Sequence, residues 1–122
     1  KVIAPAEVSG GIIIVRMEKP RDGIWIIDAE GQTLYANDRM AEILGTCPSE
    51  MIGQPSFTYV FPEDAKSAQH LFEARQNCAA EPFHFKIRRQ DGSPVWVDVQ
   101  GTPMHNATGE FTGIVGTFSV SQ

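Results

Sequence analysis

Three histidines, two cysteines and fifteen acidic residues are the groups in this 122-residue chain that could do chemistry. Their spacing argues against most of it. Cys47 and Cys78 stand alone, with no Cys-x-x-Cys and no Cys/His ligand spacing, so a structural zinc site is not expected. Reduced thiols in a cytosolic setting are the simpler reading. No Gly-x-Ser-x-Gly, phosphate-binding Gly-rich loop or His-Glu-x-x-His occurs, and no carboxylate pair is placed for acid–base work. Asp91 and Asp98 read as a turn residue and a solvent-face strand residue. The chain is therefore not expected to be an enzyme on its own.

Charge narrows the partners. The net charge is −5, which argues against nucleic acid, where basic patches must meet phosphate. The densest basic cluster, Lys86, Arg88 and Arg89, falls on the polar side of a strand and reads as a solvated face. The longest aliphatic cluster, Ile12 to Val15, is far shorter than the roughly 18 residues of a membrane span. A soluble cytoplasmic domain is expected, and a start at Lys1 rather than Met fits a piece of a longer protein.

The elements that must position any site are clearest at the C-terminal end. Phe83, Phe85 and Ile87 alternate with His84, Lys86 and Arg88; Val95, Val97 and Val99 alternate with Trp96, Asp98 and Gln100. Period two is the strand signal. Asp91-Gly92 between the runs predicts a hairpin, Gly supplying the positive φ of a primed two-residue turn. A third run, from Phe111, follows the turn at Asn106 to Gly109. One face of this meander is apolar and must be covered.

Upstream, Ile24 to Ile27 is apolar on both faces and fits a central strand. Thr33 to Ala36 returns beside it. Asn37 caps a short helix whose Met40, Ile43 and Leu44 share a face, and Gly45 ends it. Short turns carry Met51, Phe57 and Tyr59. Pro62-Glu63-Asp64 opens the longest helix, predicted to run to Asn77, with Ala65, Ala68, Leu71, Phe72 and Arg75 on one face. Residues 1–21 form an N-terminal arm, a short strand at Ile12 to Val15 or helical around 14–19. The order indicates α+β, a five-stranded antiparallel sheet with helices packed on one face.

This order resembles a PAS domain over residues 20–119. The matching pieces are Asp22 to Asp28, Gly31, Ala36-Asn37, Leu44-Gly45, Ile52-Gly53-Gln54, Phe61 to Asp64, Arg89 to Ser93, Trp96-Val97, Pro103, and Gly109 through Gly113 to Gly116. The resemblance implies a PAS domain over 22–120, often dimeric, reporting a signal to an attached kinase, cyclase or regulator. Val120-Ser121-Gln122 stands where the family often ends its last strand with Asp-Ile-Thr. A covalent flavin sensor of this fold needs a cysteine before the long helix, and Gly53 to Thr58 has none. A haem sensor needs an inward His on that helix. At ~100° per residue His70 falls opposite the apolar face, His84 sits on the polar strand face, and His105 lies in a turn region. Covalent flavin and haem are both disfavoured.

What remains is the hollow between sheet and helices. Its expected lining is Ile26, Asn37, Ile43, Met51, Tyr59, Leu71, Phe72, Phe83, Phe85, Val97 and Val99. Two readings stay open: a pocket for a small organic ligand or non-covalent cofactor, or a filled core in a ligand-free dimerisation module. The outer sheet face is a separate candidate, with Trp96 as a homodimer or partner contact unless Ile13 and Val15 of the arm cover it.

Overall fold

The computed structural model describes the backbone of residues 2–8, 11–17, 22–75 and 82–121, and the side chains of the last two ranges. In the arm, β1 (Val2–Val8) and β2 (Gly11–Met17) form an antiparallel hairpin that pairs Ala6 with Ile13 and Ala4 with Val15. The helix expected around 14–19 is therefore strand over 14–17, as suits the β-branched run Ile12 to Val15. Residues 18–21, and the side chains of Ile13 and Val15, lie outside the described residues.

The second sheet has five strands: β3 (Gly23–Asp28), β4 (Thr33–Ala36), β5 (Phe83–Arg88), β6 (Pro94–His105) and β7 (Phe111–Val120). Their order is β4-β3-β7-β6-β5, and every pairing is antiparallel. The strand apolar on both faces, β3, is internal as its composition requires. Trp25 points into the main core, whereas Ile24 and Ile26 pack with Met104 on the other side of the sheet.

Three hairpins share one turn design. Backbone amides of Asp28, Arg89 and Asn106 donate to the carbonyls of Gln32, Ser93 and Glu110 at 2.8–2.9 Å. A three-residue loop between each pair ends in Gly31, Gly92 or Gly109 at φ near +90°. This corrects the primed two-residue turn expected at Asp91-Gly92. No non-glycine residue among those described has positive φ, so Asp91 cannot take the first position of such a turn. Its carboxylate instead accepts from the Ser93 amide and hydroxyl, at 2.9 and 2.6 Å.

The helices lie between β4 and β5 in sequence and cover one sheet face. Helix α1 (Asp38–Leu44) buries Met40, Ala41, Ile43 and Leu44, and Gly45 terminates it in the left-handed region. A short α2 (Pro48–Met51) buries Met51. Two 3-10 turns follow, Ser56–Tyr59 and Pro62–Asp64, then α3 (Ala65–Arg75). The first turn of the predicted long helix is thus the tighter 3-10 form, and residues 76–81 lie outside the described residues. Met40, Leu44, Met51 and Val97 are wholly buried together. Each such side chain contributes about 1.5–3 kcal/mol of transfer free energy. Helix α3 is different: Leu71 and Phe72 are half-buried, and the residue buried in it is Arg75.

Candidate ligand cavity

A cavity of about 140 Å³ lies between α3 and the inner sheet face. Its floor is made by two glycines. Gly101 of β6 and Gly116 of β7 are direct cross-strand partners, and Trp25 of β3 is the next partner in the row. Inward positions on adjacent strands would normally carry side chains that fill this space. A Cβ on Gly101 would touch Ile114 at 3.5 Å and the Arg75 stem at 3.7 Å, and one on Gly116 would strike the Phe118 ring at 2.8 Å, so Phe118 already lies over the Gly116 end of the floor.

Aromatic rings form most of the wall. Trp25 packs edge-on to Tyr59 at 5.7 Å and tilted against Phe118 at 5.5 Å. The indole N–H donates to the Thr33 hydroxyl at 2.9 Å, which fixes the ring plane. Phe72 of α3 stands edge-on to Phe57, and Phe83 to Phe85. Burial, with smaller contributions from Glu50 and Cys47, raises the Tyr59 hydroxyl above the ordinary tyrosine range. It is a neutral group here.

Two further polar groups line the same space. The Ser56 amide donates to the Gly31 carbonyl at 2.7 Å, which holds the start of the 3-10 turn beside β4. Ser56 Oγ is buried without a hydrogen-bond partner. Arg75 is 8% exposed, and its guanidinium carbon stands 4.9 Å over the Phe83 ring.

Of the expected lining, the cavity wall includes Tyr59, Leu71, Phe72, Phe83, Phe85 and Val99. Ile26 is a correction: β3 turns it to the opposite face, and its neighbours Trp25 and Ile27 line the cavity. Ile43, Met51 and Val97 belong to the solid core beyond the cavity. Asn37 acts on backbone groups instead: its Oδ1 accepts from the amides of Ile24 and Met40. Trp25, Ser56, Phe118 and Arg75 were missed as lining. Arg75 was visible in the sequence, three residues after Phe72 on the inward helix face. Ala65, expected on that face, is exposed.

His70 is exposed, as the helical angle predicts, and lines a shallow outer groove with Lys86, His84 and Trp96. Lys86 lies 3.5 Å from both Glu63 and Asp64 and over the Phe61 ring at 4.8 Å. On the outer sheet face Trp96 is 49% exposed and stacks on His84 at 4.8 Å. His84 Nδ1 contacts Asp98 Oδ1 at 3.1 Å and Ser121 Oγ at 3.0 Å. The His84 hydrogen bond, with help from Ser121, holds the Asp98 carboxyl below the usual range. Among the described residues no three His, Cys, Asp or Glu side chains converge as metal ligands. No described helix is long and apolar enough to cross a membrane.

The chain belongs to the PAS family, whose PAS fold model matches residues 16–120. Solved structures agree on the fold. A PAS domain from Colwellia psychrerythraea is 17% identical, over 83% of this chain and 86% of that one, at TM-score 0.76. The Drosophila melanogaster Cycle PAS-B domain with bound ethylene glycol is 21% identical, over 81% and 99%, at TM-score 0.71. A sensory box histidine kinase/response regulator from Burkholderia thailandensis E264 is 18% identical, over 82% and 76%, at TM-score 0.64. PAS domains are sensory modules rather than catalysts, and they commonly dimerise and join output domains.

Proposed function

We propose that this domain is the sensor of a larger cytoplasmic signalling protein and takes a small, largely apolar molecule into the cavity over Gly101 and Gly116. The observation that carries this reading is the glycine floor under aromatic walls. An enclosed apolar cavity of about this volume accepts a benzene-sized guest, and this one is partly open to solvent, which gives a guest a way in. It falls well below the 300–1,000 Å³ of sites for drug-sized ligands, so flavin or haem does not fit as the space stands.

The signal would leave through β7. Phe118 is in the cavity wall, and three residues later the Ser121 amide donates to the Trp96 carbonyl at 2.9 Å. A guest that moves Phe118 shifts the strand end, and with it the attached kinase, cyclase or regulator. Helix α3, which holds few buried side chains, is the wall with most freedom to yield.

Fluorescence tests the reading. In a Trp96→Phe background Trp25 is the remaining indole, and saturating toluene should shift its emission. Gly101→Val should abolish that shift because its side chain takes the space beside the strand, at a cost of no more than about 1–3 kcal/mol of overpacking. No saturable shift in the parent, or an equal shift in Gly101→Val, would leave the cavity a packing defect.

The exposed Trp96 favours a second role, a homodimer contact through the outer sheet face. Trp96→Ala should then weaken self-association in sedimentation. Unchanged sedimentation at high concentration would remove that contact.

A further inference from the structure

Phe118 is a wall of the cavity and also a partial occupant of it. Gly116, Phe118 and Val120 alternate onto the inner face of β7. The Phe118 ring leans back along its own strand: a Cβ on Gly116 would meet its Cε1 at 2.8 Å and its Cζ at 3.5 Å. The space that a side chain at Gly116 would take is therefore filled by a phenyl ring from two residues on. That ring is loosely held. Across the sheet Phe118 stands between Val99 of β6 and Gly23 of β3, which has no side chain to lock it. It is half-buried, and it meets Trp25 at 5.5 Å with the planes tilted by 44°, neither stacked nor edge-on. Strand residues have two common χ1 settings, so a second setting is open to it that turns the ring off the Gly116 floor and toward Val120.

From this we infer that the ligand is a neutral, flat molecule of two fused rings, which binds by displacing the Phe118 ring from over Gly116. This rests on the cavity reading above and adds the size of the guest and the residue that limits it. About 140 Å³ holds one ring. The departing phenyl frees the space of a second, continuous with the first across the Gly101–Gly116 floor. The faces and edges of Trp25, Tyr59 and Phe72 suit a flat apolar body, and no charge is needed to hold it. Displacement also gives the strand end something to report. One ring fills the existing void and leaves β7 as it is. Two rings drive Phe118 toward Val120, and the next residue, Ser121, is tied by its amide to the Trp96 carbonyl at 2.9 Å. Size selection and output then depend on the same side chain.

The test titrates toluene and naphthalene into the protein and follows backbone amides by two-dimensional NMR. In the parent both guests should shift the amides of Trp25, Gly101 and Gly116, and naphthalene alone should shift those of Val120 and Ser121. Phe118→Ala removes the ring that naphthalene must move, so the affinity ratio of naphthalene to toluene should rise about tenfold, the scale of one aromatic pair. A ratio unchanged in Phe118→Ala would overturn the displacement and leave the cavity reading standing. So would toluene shifting Val120 and Ser121 as far as naphthalene does. Binding of neither guest to either protein would defeat the cavity reading, and the displacement with it. If Phe118→Ala does not fold, Phe118→Leu keeps an apolar contact with the core without a ring over Gly116, and the same ratio decides.

Discussion

Gly113→Ala is expected to yield no folded domain. Gly113 sits in β7 between two partners, Asp28 of β3 and Met104 of β6. The register against β6 slips beside it, between Met104 and His105, so Thr112 is the unpaired extra residue. That bulge presses the strand toward β3. A Cβ at Gly113 would fall on the Ile27 carbonyl oxygen, a backbone atom that cannot rotate away, and would also meet Met104 Cε at 2.8 Å and the Asp28 Cα at 3.1 Å. Its φ of +156° adds strain for any side chain. Relief requires separating β3 from β7, the central pair of the sheet. A cost above about 4 kcal/mol follows, at the far end of what single substitutions do. Gly109→Ala is the control. It has φ of +88° with nothing near its Cβ, so only the roughly 1–2 kcal/mol of left-handed strain applies. Amide dispersion in a two-dimensional NMR spectrum should be lost for Gly113→Ala and kept for Gly109→Ala. A dispersed Gly113→Ala spectrum, with stability within about 2 kcal/mol of the parent, would show that the sheet gives way more easily than its packing implies.

The fold was legible in the sequence because its signals are local. Alternation placed β5 and β6, two-faced apolarity placed β3 inside the sheet, and Asn37 and Gly45 bounded α1 correctly. Helical angle alone put His70 in solvent. The cavity was less legible because it is made by absent side chains. Alternation assigns Gly101 and Gly116 to the inner face, yet their pairing depends on the register of β6 against β7, which no local pattern states. Ile26 went astray for the converse reason. In a strand apolar at every position, periodicity does not say which face is which, and Trp25 rather than Ile26 took the cavity side. Arg75 was placed on the right helix face, but a charge there reads as a solvated end until burial is known.

Asn37→Ala should cost about 2–4 kcal/mol, since one side chain serves three backbone groups. Asn37 is 8% exposed. Its Oδ1 accepts from the Met40 amide at 2.8 Å, the N-cap bond of α1, and from the Ile24 amide at 3.0 Å on the facing strand. Its Nδ2 donates to the Asp22 carbonyl at 3.2 Å. Loss of an N-cap costs roughly 0.5–2 kcal/mol. Stranding the buried Ile24 N–H adds about 1–3, and the two overlap because they share an oxygen. The helix has little slack to compensate. A Cβ on Gly23 would meet Met40 Sδ at 2.9 Å and the Met40 Cα at 3.1 Å, so α1 already lies against the β3 backbone. The melting temperature should fall on the order of 10 °C. Asn37→Asp keeps the accepting oxygen and suits the positive helix end, and gives up the bond to Asp22. It should cost about 1 kcal/mol. The ordering of the two variants is the diagnostic. If Asp proves as damaging as Ala, the Nδ2 bond rather than the shared oxygen joins α1 to the sheet. Ala within about 0.5 kcal/mol of the parent would mean water replaces that oxygen, and the junction under the core helix is wetter than its burial implies.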